Sequence, residues 1–342
     1  IMKNRGLFHN MVRAASKLQR PVTHKSRDES SDQRRIIRHL PMHFMNKDFT
    51  EWRDLPSIAP KSFRDMFDTI PQTLFNPDYK VGFFAGCGAD FVYPEVGVSM
   101  IKVLNALNVE VVFPKGQNCC GIPALYSGDA ETGLDLAKQS VQAFSEADVD
   151  YVLCVCPTCT MGVKRDFVER LANHPQWAAK ARALSEKTMD AAAFMENILG
   201  ASEKLQSLIE GQKVTYHDSC HLKRGSGVYK EPRALLAGSG FEVEEMKNSD
   251  RCCGFGGTYS FLGHPQISRQ GTYSFLGHPQ ISKQITGDKV ENIKATGAKT
   301  VAMDCPGCMI MLKGATGKSD ESIRCAHTME LLAEALDKKK EK

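Results

Sequence analysis

Tyr151-Val152-Leu153-Cys154-Val155-Cys156-Pro157-Thr158-Cys159 is an apolar run that ends in a Cys-x-x-Cys hook. Thr300-Val301-Ala302-Met303-Asp304-Cys305-Pro306-Gly307-Cys308 repeats that arrangement in the second half of the chain. Each hook completes a set of five cysteines. The first set is Cys87, Cys119-Cys120-Gly121 and Cys156 with Cys159; the second is Cys220, Cys252-Cys253-Gly254 and Cys305 with Cys308. The lone cysteine precedes its vicinal pair by 32 residues in both sets, and Cys87 to Cys220 and Cys119 to Cys252 are both 133 apart. Ten of the twelve cysteines therefore obey one spacing written twice.

Working outward, short strand signals lead into these cysteines and helical signals separate them. Strands are expected at 81–86, 109–113 and 151–155, with helices over 96–107 and 129–147 between them. The second half repeats the order, with strands at 213–216, 241–246 and 300–303 and helices near 231–238 and 284–296. Helical stretches at 160–173 and 327–337 close the halves. Strand–helix alternation argues parallel α/β units, and cysteines placed after strand ends sit where open sheets gather ligands. The expected fold is α/β: two pseudo-symmetric cysteine-rich Rossmann-like domains, 76–212 and 213–342, preceded by an extended N-terminal tail, 1–75.

The tail differs from the rest. It holds no cysteine, and its first forty residues carry ten Lys or Arg against three acidic residues. The overall charge of +4 is thus a local effect and gives no argument for nucleic acid. Leu7, Met11, Ala15 and Leu18 have helical spacing, a polar linker runs from Thr23 to Arg35, and the basic character reads as a solvated or docking face. One further oddity is a tandem duplication, GTYSFLGHPQISRQ at 257–270 and GTYSFLGHPQISKQ at 271–284. It reads as an insertion into an exposed loop, with a sequence artefact as the alternative.

A 42% hydrophobic and 25% charged composition is that of an ordinary globular protein. No apolar run is long enough to span a bilayer, and no secretory leader is evident. Many cysteines without an export signal argue for metal in a reducing cytosol. Soft thiolates select iron–sulfur, zinc or copper(I). Structural zinc prefers two hooks around a tetrahedron, whereas a vicinal pair suits a larger multi-iron cluster. An odd cysteine count per set argues against a disulfide framework. Gly121 and Gly254 permit tight loops at the cofactor. Cys154 and Cys325 fall outside the pattern and read as core. His217 and His221 flank Cys220 and read as loop hydrogen-bonding groups, with cluster tuning or proton relay as the alternative. No nucleotide-binding or serine-hydrolase motif is present.

The repeated C…CCG…C-x-x-C pattern resembles the cysteine-rich CCG domain family, which includes a subunit of heterodisulfide reductase and lactate-utilisation iron–sulfur proteins. GlyCysGlyAlaAsp at 86–90, CysCysGlyIlePro at 119–123, HisAspSerCysHisLeu at 217–222 and CysCysGlyPheGlyGlyThr at 252–258 are most similar to the lactate-utilisation branch. The resemblance covers 80–330. It implies one iron–sulfur cluster per pentad, of the non-cubane [4Fe–4S] type, on Cys87, Cys119, Cys120, Cys156, Cys159 and on Cys220, Cys252, Cys253, Cys305, Cys308. ArgAspLeuPro at 53–56 and AlaProLysSerPheArgAspMet at 59–66 resemble the end of a ferredoxin-bearing partner in the same system. That partner's C-x-x-C-x-x-C-x-x-x-C-P motifs are absent here, so the chain is expected to be part of a fusion or to have kept only the tail.

The resemblance implies an oxidoreductase subunit, cytoplasmic or at the inner face of the membrane. It would relay electrons in a flavin-linked 2-hydroxy-acid (lactate) dehydrogenase complex. Its partners would be a flavin-containing dehydrogenase subunit and a ferredoxin-type iron–sulfur subunit or segment, with peripheral membrane association allowed. The alternative is a heterodisulfide-reductase-type subunit that cleaves a disulfide at its cluster; a third is a zinc-stabilised interaction module.

Overall fold

The computed structural model describes residues 2–25, 35–37, 53–126, 128–255, 279–318 and 323–341. The duplication over 257–284 and the polar linker fall almost wholly outside these residues; only the last positions of the duplication are described, at the start of a helix. The chain enters through helix α1 (Arg5–Leu18) and a small antiparallel sheet of β1 (Thr23–Lys25), β2 (Arg35–Ile37) and β3 (Leu55–Pro56).

Two four-stranded parallel sheets follow, with the same topology. The first holds β4 (Tyr79–Phe84), β5 (Val109–Val112), β6 (Tyr151–Cys154) and β7 (Thr188–Asp190) in the order β5-β4-β6-β7. The second holds β8 (Gln212–Tyr216), β9 (Phe241–Glu244), β10 (Thr300–Met303) and β11 (Arg324–His327) in the order β9-β8-β10-β11. Central strands of parallel sheets are covered on both faces and read as unbroken apolar runs. Accordingly β10 is buried along its whole length, and so is β6 apart from Tyr151. Helices Pro94–Ala106 and Ala130–Ser145 make the crossovers of the first half; Glu231–Gly238 and Pro279–Lys294 are their counterparts. The expected α/β architecture with two related domains is the one observed. The expected strands and helices are present within a few residues, and β7, β11 and the helix Pro175–Lys187 complete the halves.

Strand order reverses between the first and third strands of each sheet, at β4/β6 and at β8/β10. Such a reversal opens a crevice beyond the strand C-termini. Cys87 follows β4, Cys156 follows β6, Cys220 follows β8 and Cys305 follows β10, so the topology alone brings the lone cysteine and the hook of each set together. The two halves also share a core. Phe83, Val103 and Leu104 of the first belong to one apolar cluster with Tyr216, Val301, Met329 and Leu332 of the second, and helix Pro94–Ala106 packs against helix Thr328–Glu341.

The described part of the N-terminal region packs on this same chain. Phe63 is fully buried, with its ring edge-on to Phe83 at 5.0 Å and against Phe113 at 5.2 Å. Arg64 donates to Asp90 from its Nε at 2.6 Å and its backbone N–H at 3.1 Å. Asp90 lies in the turn that follows Cys87. Arg53 is also buried and donates to Met311 Sδ at 2.9 Å, while the Asp54 N–H donates to Gly314 O at 2.9 Å. Both partners lie in the helix that carries the Cys308 hook. The helical spacing at 7–18 does give a helix. Its apolar stripe nevertheless faces outward, with Leu7, Met11 and Leu18 exposed. Polar contacts hold the other face: Arg13 to Asp65 at 2.5 Å, Ser16 Oγ to Ala59 O at 2.9 Å and Gln19 to the Ile58 backbone. Among the described residues no helix is long and apolar enough to cross a membrane.

A buried phenylalanine truncated to alanine costs about 3–5 kcal/mol through lost transfer energy and a cavity. Phe63→Ala is therefore expected to destabilise the whole chain by about that much in denaturant unfolding. A change within about 0.5 kcal/mol, as for a surface position, would show that this segment is only loosely attached.

Candidate metal centre

Each element delivers its cysteine by a local rule. Cys156 and Cys305 are extended residues that cap the helices Pro157–Met161 and Pro306–Thr316, with proline at the first helical position, where its missing N–H costs nothing. The second hook cysteine then lies one turn in. The lone cysteines cap single π-helical turns, Gly88–Val92 after Cys87 and His221–Gly225 after Cys220. Gly121 and Gly254 have φ of +75° and +92°, a conformation open mainly to glycine. In both loops this glycine's N–H donates back to the first thiol of the vicinal pair: Gly254 N–H to Cys252 Sγ at 3.3 Å, and Gly121 N–H to Cys119. Gly86 is needed for room, because a Cβ there would come within 2.6 Å of Cys159 Sγ.

Nine of the ten patterned sulfurs form one continuous run of interacting neighbours. It passes from Cys87 through Cys119, Cys120, Cys159 and Cys156 to Cys305, Cys308, Cys253 and Cys252. The two sets meet at Cys156 and Cys305, which hold equivalent places in the two halves. Cys220 stands aside; its Sγ lies 3.8 Å from His221 Nδ1. No disulfide closes any of them.

The protons are shared unequally along this run. Cys119 and Cys159 draw the Cys120 thiol down to about 6. Cys159 and Cys305 likewise hold Cys156 well below the ordinary thiol value, and Cys252 and Cys308 do the same for Cys253, with His217 adding to the effect. The donors shift the other way: contact with Cys119 pushes Cys87 up, contact with Cys120 and Cys156 pushes Cys159 up, and contact with Cys156 raises Cys305. Several buried thiolates cannot stand together without a cation. A donor set this dense, buried and reduced fits a thiolate-ligated centre, and the clustered cysteines fit iron–sulfur binding.

The halves interlock around the centre. Gly88, in the turn after Cys87, packs on Pro306 of the other half's hook, and a Cβ there would come within 2.7 Å of it. On the other side Gly225, at the end of the turn after Cys220, packs on Met161 of the first half's hook helix, where a Cβ would come within 2.0 Å of its Sδ. Thr158 Oγ1 and His221 Nδ1 meet at 3.4 Å, and His327 bridges from Val155 O at 3.0 Å to Asp304 at 3.4 Å.

Both outlying cysteines are core, as read from the sequence. Cys154 is fully buried in β6, and Cys325 is buried in β11 beside Thr316 Oγ1 at 3.6 Å. His221 approaches Cys220 within its loop at 3.8 Å but also reaches Thr158 of the other half at 3.4 Å, and the His217 ring faces the Cys253 thiol rather than bonding within the loop. Sequence reasoning missed three features here. Arg64 braces the Cys87 turn through Asp90. Asp218, gripped by Arg233 at 2.8 Å and by Ser249 Oγ at 2.8 Å, braces the Cys220 loop. Lys289 is buried beside the second set, its amine lowered to about 8 by burial against the opposing pull of the Cys253 and Cys308 charges. None has a local sequence signal, since the partners are 15 to 41 residues apart.

Comparison with known proteins agrees with this geometry. The family profile described as "CCG: Cysteine-rich domain" matches twice, over 81–164 and 214–313. "Lactate utilization protein A 2" of Bacillus cereus (strain AH820) is 32% identical over 260 residues, which is 76% of this chain and 100% of that protein. "Lactate utilization protein A" of Bacillus subtilis (strain 168) is 34% identical over 255 residues, 74% of this chain and 98% of that protein. Each profile match ends just beyond a Cys-x-x-Cys hook and contains one complete pentad, so the duplicated module seen in the sheets is the family's unit. The chain belongs to the CCG cysteine-rich domain family.

Proposed function

We propose that this chain is the iron–sulfur electron-transfer subunit of a flavin-linked 2-hydroxy-acid dehydrogenase complex acting on lactate. The observation that carries the reading is the unbroken run of sulfurs from one half to the other, which suits a relay. The names of the Bacillus relatives support the lactate assignment. An iron–sulfur cluster supplies one-electron transfer. In this reading each pentad holds one cluster, of the non-cubane [4Fe–4S] type, with domains 76–212 and 213–342 as the two holders. The thiolates bind, the Gly121 and Gly254 N–H groups donate to sulfur and stabilise the reduced state, and the shared core keeps water out. A flavin subunit would oxidise the hydroxy acid, and a ferredoxin-type subunit or segment would pass electrons on. The region 1–75 would meet that partner from its outer side, while its inner residues brace both cysteine loops. The proposed place of action is the cytoplasm, at the inner face of the membrane.

A second reading is disulfide cleavage. It is favoured by the half-buried state of Cys87, Cys156, Cys220 and Cys252, which leaves the sulfur run within reach of a small thiol compound. Turnover of a low-molecular-weight disulfide by the isolated, reduced chain would select this reading over the relay.

Anaerobically purified protein is expected to be brown and to contain iron and acid-labile sulfide in comparable amounts. Stoichiometric zinc without sulfide would overturn the assignment. In the reconstituted complex, Cys308→Ala is expected to abolish acceptor reduction, since one lost thiolate destabilises its cluster, while lactate still reduces the flavin subunit. Full acceptor turnover by that variant would take the second centre off the electron path.

A further inference from the structure

We infer that His217 is a nitrogen ligand of the second centre, which makes the two centres chemically unequal. The inference rests on the iron–sulfur reading above and adds a ligand to it. His217 is 1% exposed, and its ring nitrogens make no hydrogen bond of ordinary geometry to any nitrogen or oxygen; the group that its ring meets is the Cys253 thiol. A buried imidazole so poorly satisfied is costly, and a metal held by the neighbouring sulfurs would satisfy it. The ring faces sulfur: a His217 nitrogen and the Sγ atoms of Cys253 and Cys308 all lie within 4.8 Å of one another. Imidazole is a competent ligand for iron and zinc.

The backbone aims it there. The His217 N–H donates to Ala302 O at 2.9 Å, which extends the pairing of β8 with β10 by one residue. Its ring is thereby held over the crevice between those strands, where the hook arrives. The first half has Phe84 at the matching place, three residues before Cys87. Phe84 turns to the other cluster of the core and stacks on Phe144 at 5.5 Å. The cysteines differ in the complementary sense. Cys87 joins the sulfur run through Cys119, but Cys220 is drawn aside towards His221. A neutral imidazole adds no negative charge where a thiolate would, so nitrogen ligation raises the reduction potential, as it does in two-histidine iron–sulfur centres.

The test uses the full chain, purified anaerobically with its clusters and labelled with nitrogen-15 histidine. Electron–nuclear double resonance of paramagnetic states and Mössbauer spectra of iron-57-enriched protein together cover every oxidation state. The expected result is a strong histidine-nitrogen coupling, or one nitrogen-ligated iron site, belonging to one of two centres. It should survive His221→Asn and vanish in His217→Phe and His217→Asn, with the other centre's spectrum unchanged as the control for folding. The potential of the altered centre should fall. Coupling that is absent, of only hydrogen-bond strength, or unchanged in both His217 variants would overturn the inference while leaving the iron–sulfur reading intact. Protein without iron and sulfide would overturn both.

Discussion

Everything in this molecule is arranged around the contact between Cys156 and Cys305. Both are the first cysteine of a hook, both follow the third strand of a parallel sheet, and both cap a short helix that begins with proline. Two sheets of identical strand order, placed so that their crevices face one another, put these two sulfurs side by side. The remaining thiols extend in both directions from that point. Burying so many ionisable sulfurs together carries an electrostatic cost. The sulfurs are not equivalent in this respect: contact with neighbouring thiols lowers Cys120, Cys156 and Cys253 and raises the cysteines beside them. Metal binding would replace those shared protons with cations, which ties occupancy of the centre to proton release and to stability.

Neither half can complete its own site. The turn after Cys87 leans on the hook of the second half, and the turn after Cys220 leans on the hook of the first. His327 spans from the residue before Cys156 to the residue before Cys305. The core has the same character, since its largest apolar cluster takes residues from both sheets. The N-terminal segment adds a third set of ties. Arg64 reaches the first lone-cysteine turn, and Arg53 with Asp54 reaches the second hook helix. The stretches 53–56 and 59–66 thus support the two cysteine loops directly.

Much of this was legible in the sequence because the signals are local. The apolar runs at 151–155 and 300–303 become strands because buried central strands tolerate little else, and 109–113 becomes an edge strand whose residues are buried alternately. The cysteine spacing reported the crevice, since only strand ends bring residues 32 apart into one loop cluster at both places. What could not be read depends on distant partners. β7 and β11 read TMD and RCAH, short and half polar, with no apolar run to mark them as strands. The outward stripe of α1 follows from Arg13, Ser16 and Gln19 finding partners 39 to 52 residues away. Nothing in HisAspSerCysHis distinguishes a histidine that bonds within its loop from one that does not; the difference arises from where β10 and the Cys308 hook lie.

The two halves share a topology but not an environment, and that inequality is a property of side chains rather than of the fold. The first set is backed by the stacked rings of Phe84 and Phe144, an apolar wall with no charge to offer. The second has His217 at the position of Phe84 and the buried amine of Lys289 nearby, held by the Asn248 and Ser249 carbonyls at 2.5 and 3.1 Å. A positive or neutral donor beside a thiolate centre favours its reduced form, and hydrophobic walls favour the less charged one. Two joined centres of equal potential would pass electrons either way. If each set holds one cluster, as proposed, unequal neighbours on an equal scaffold would give the pair a preferred direction, towards the half that carries the imidazole and the amine.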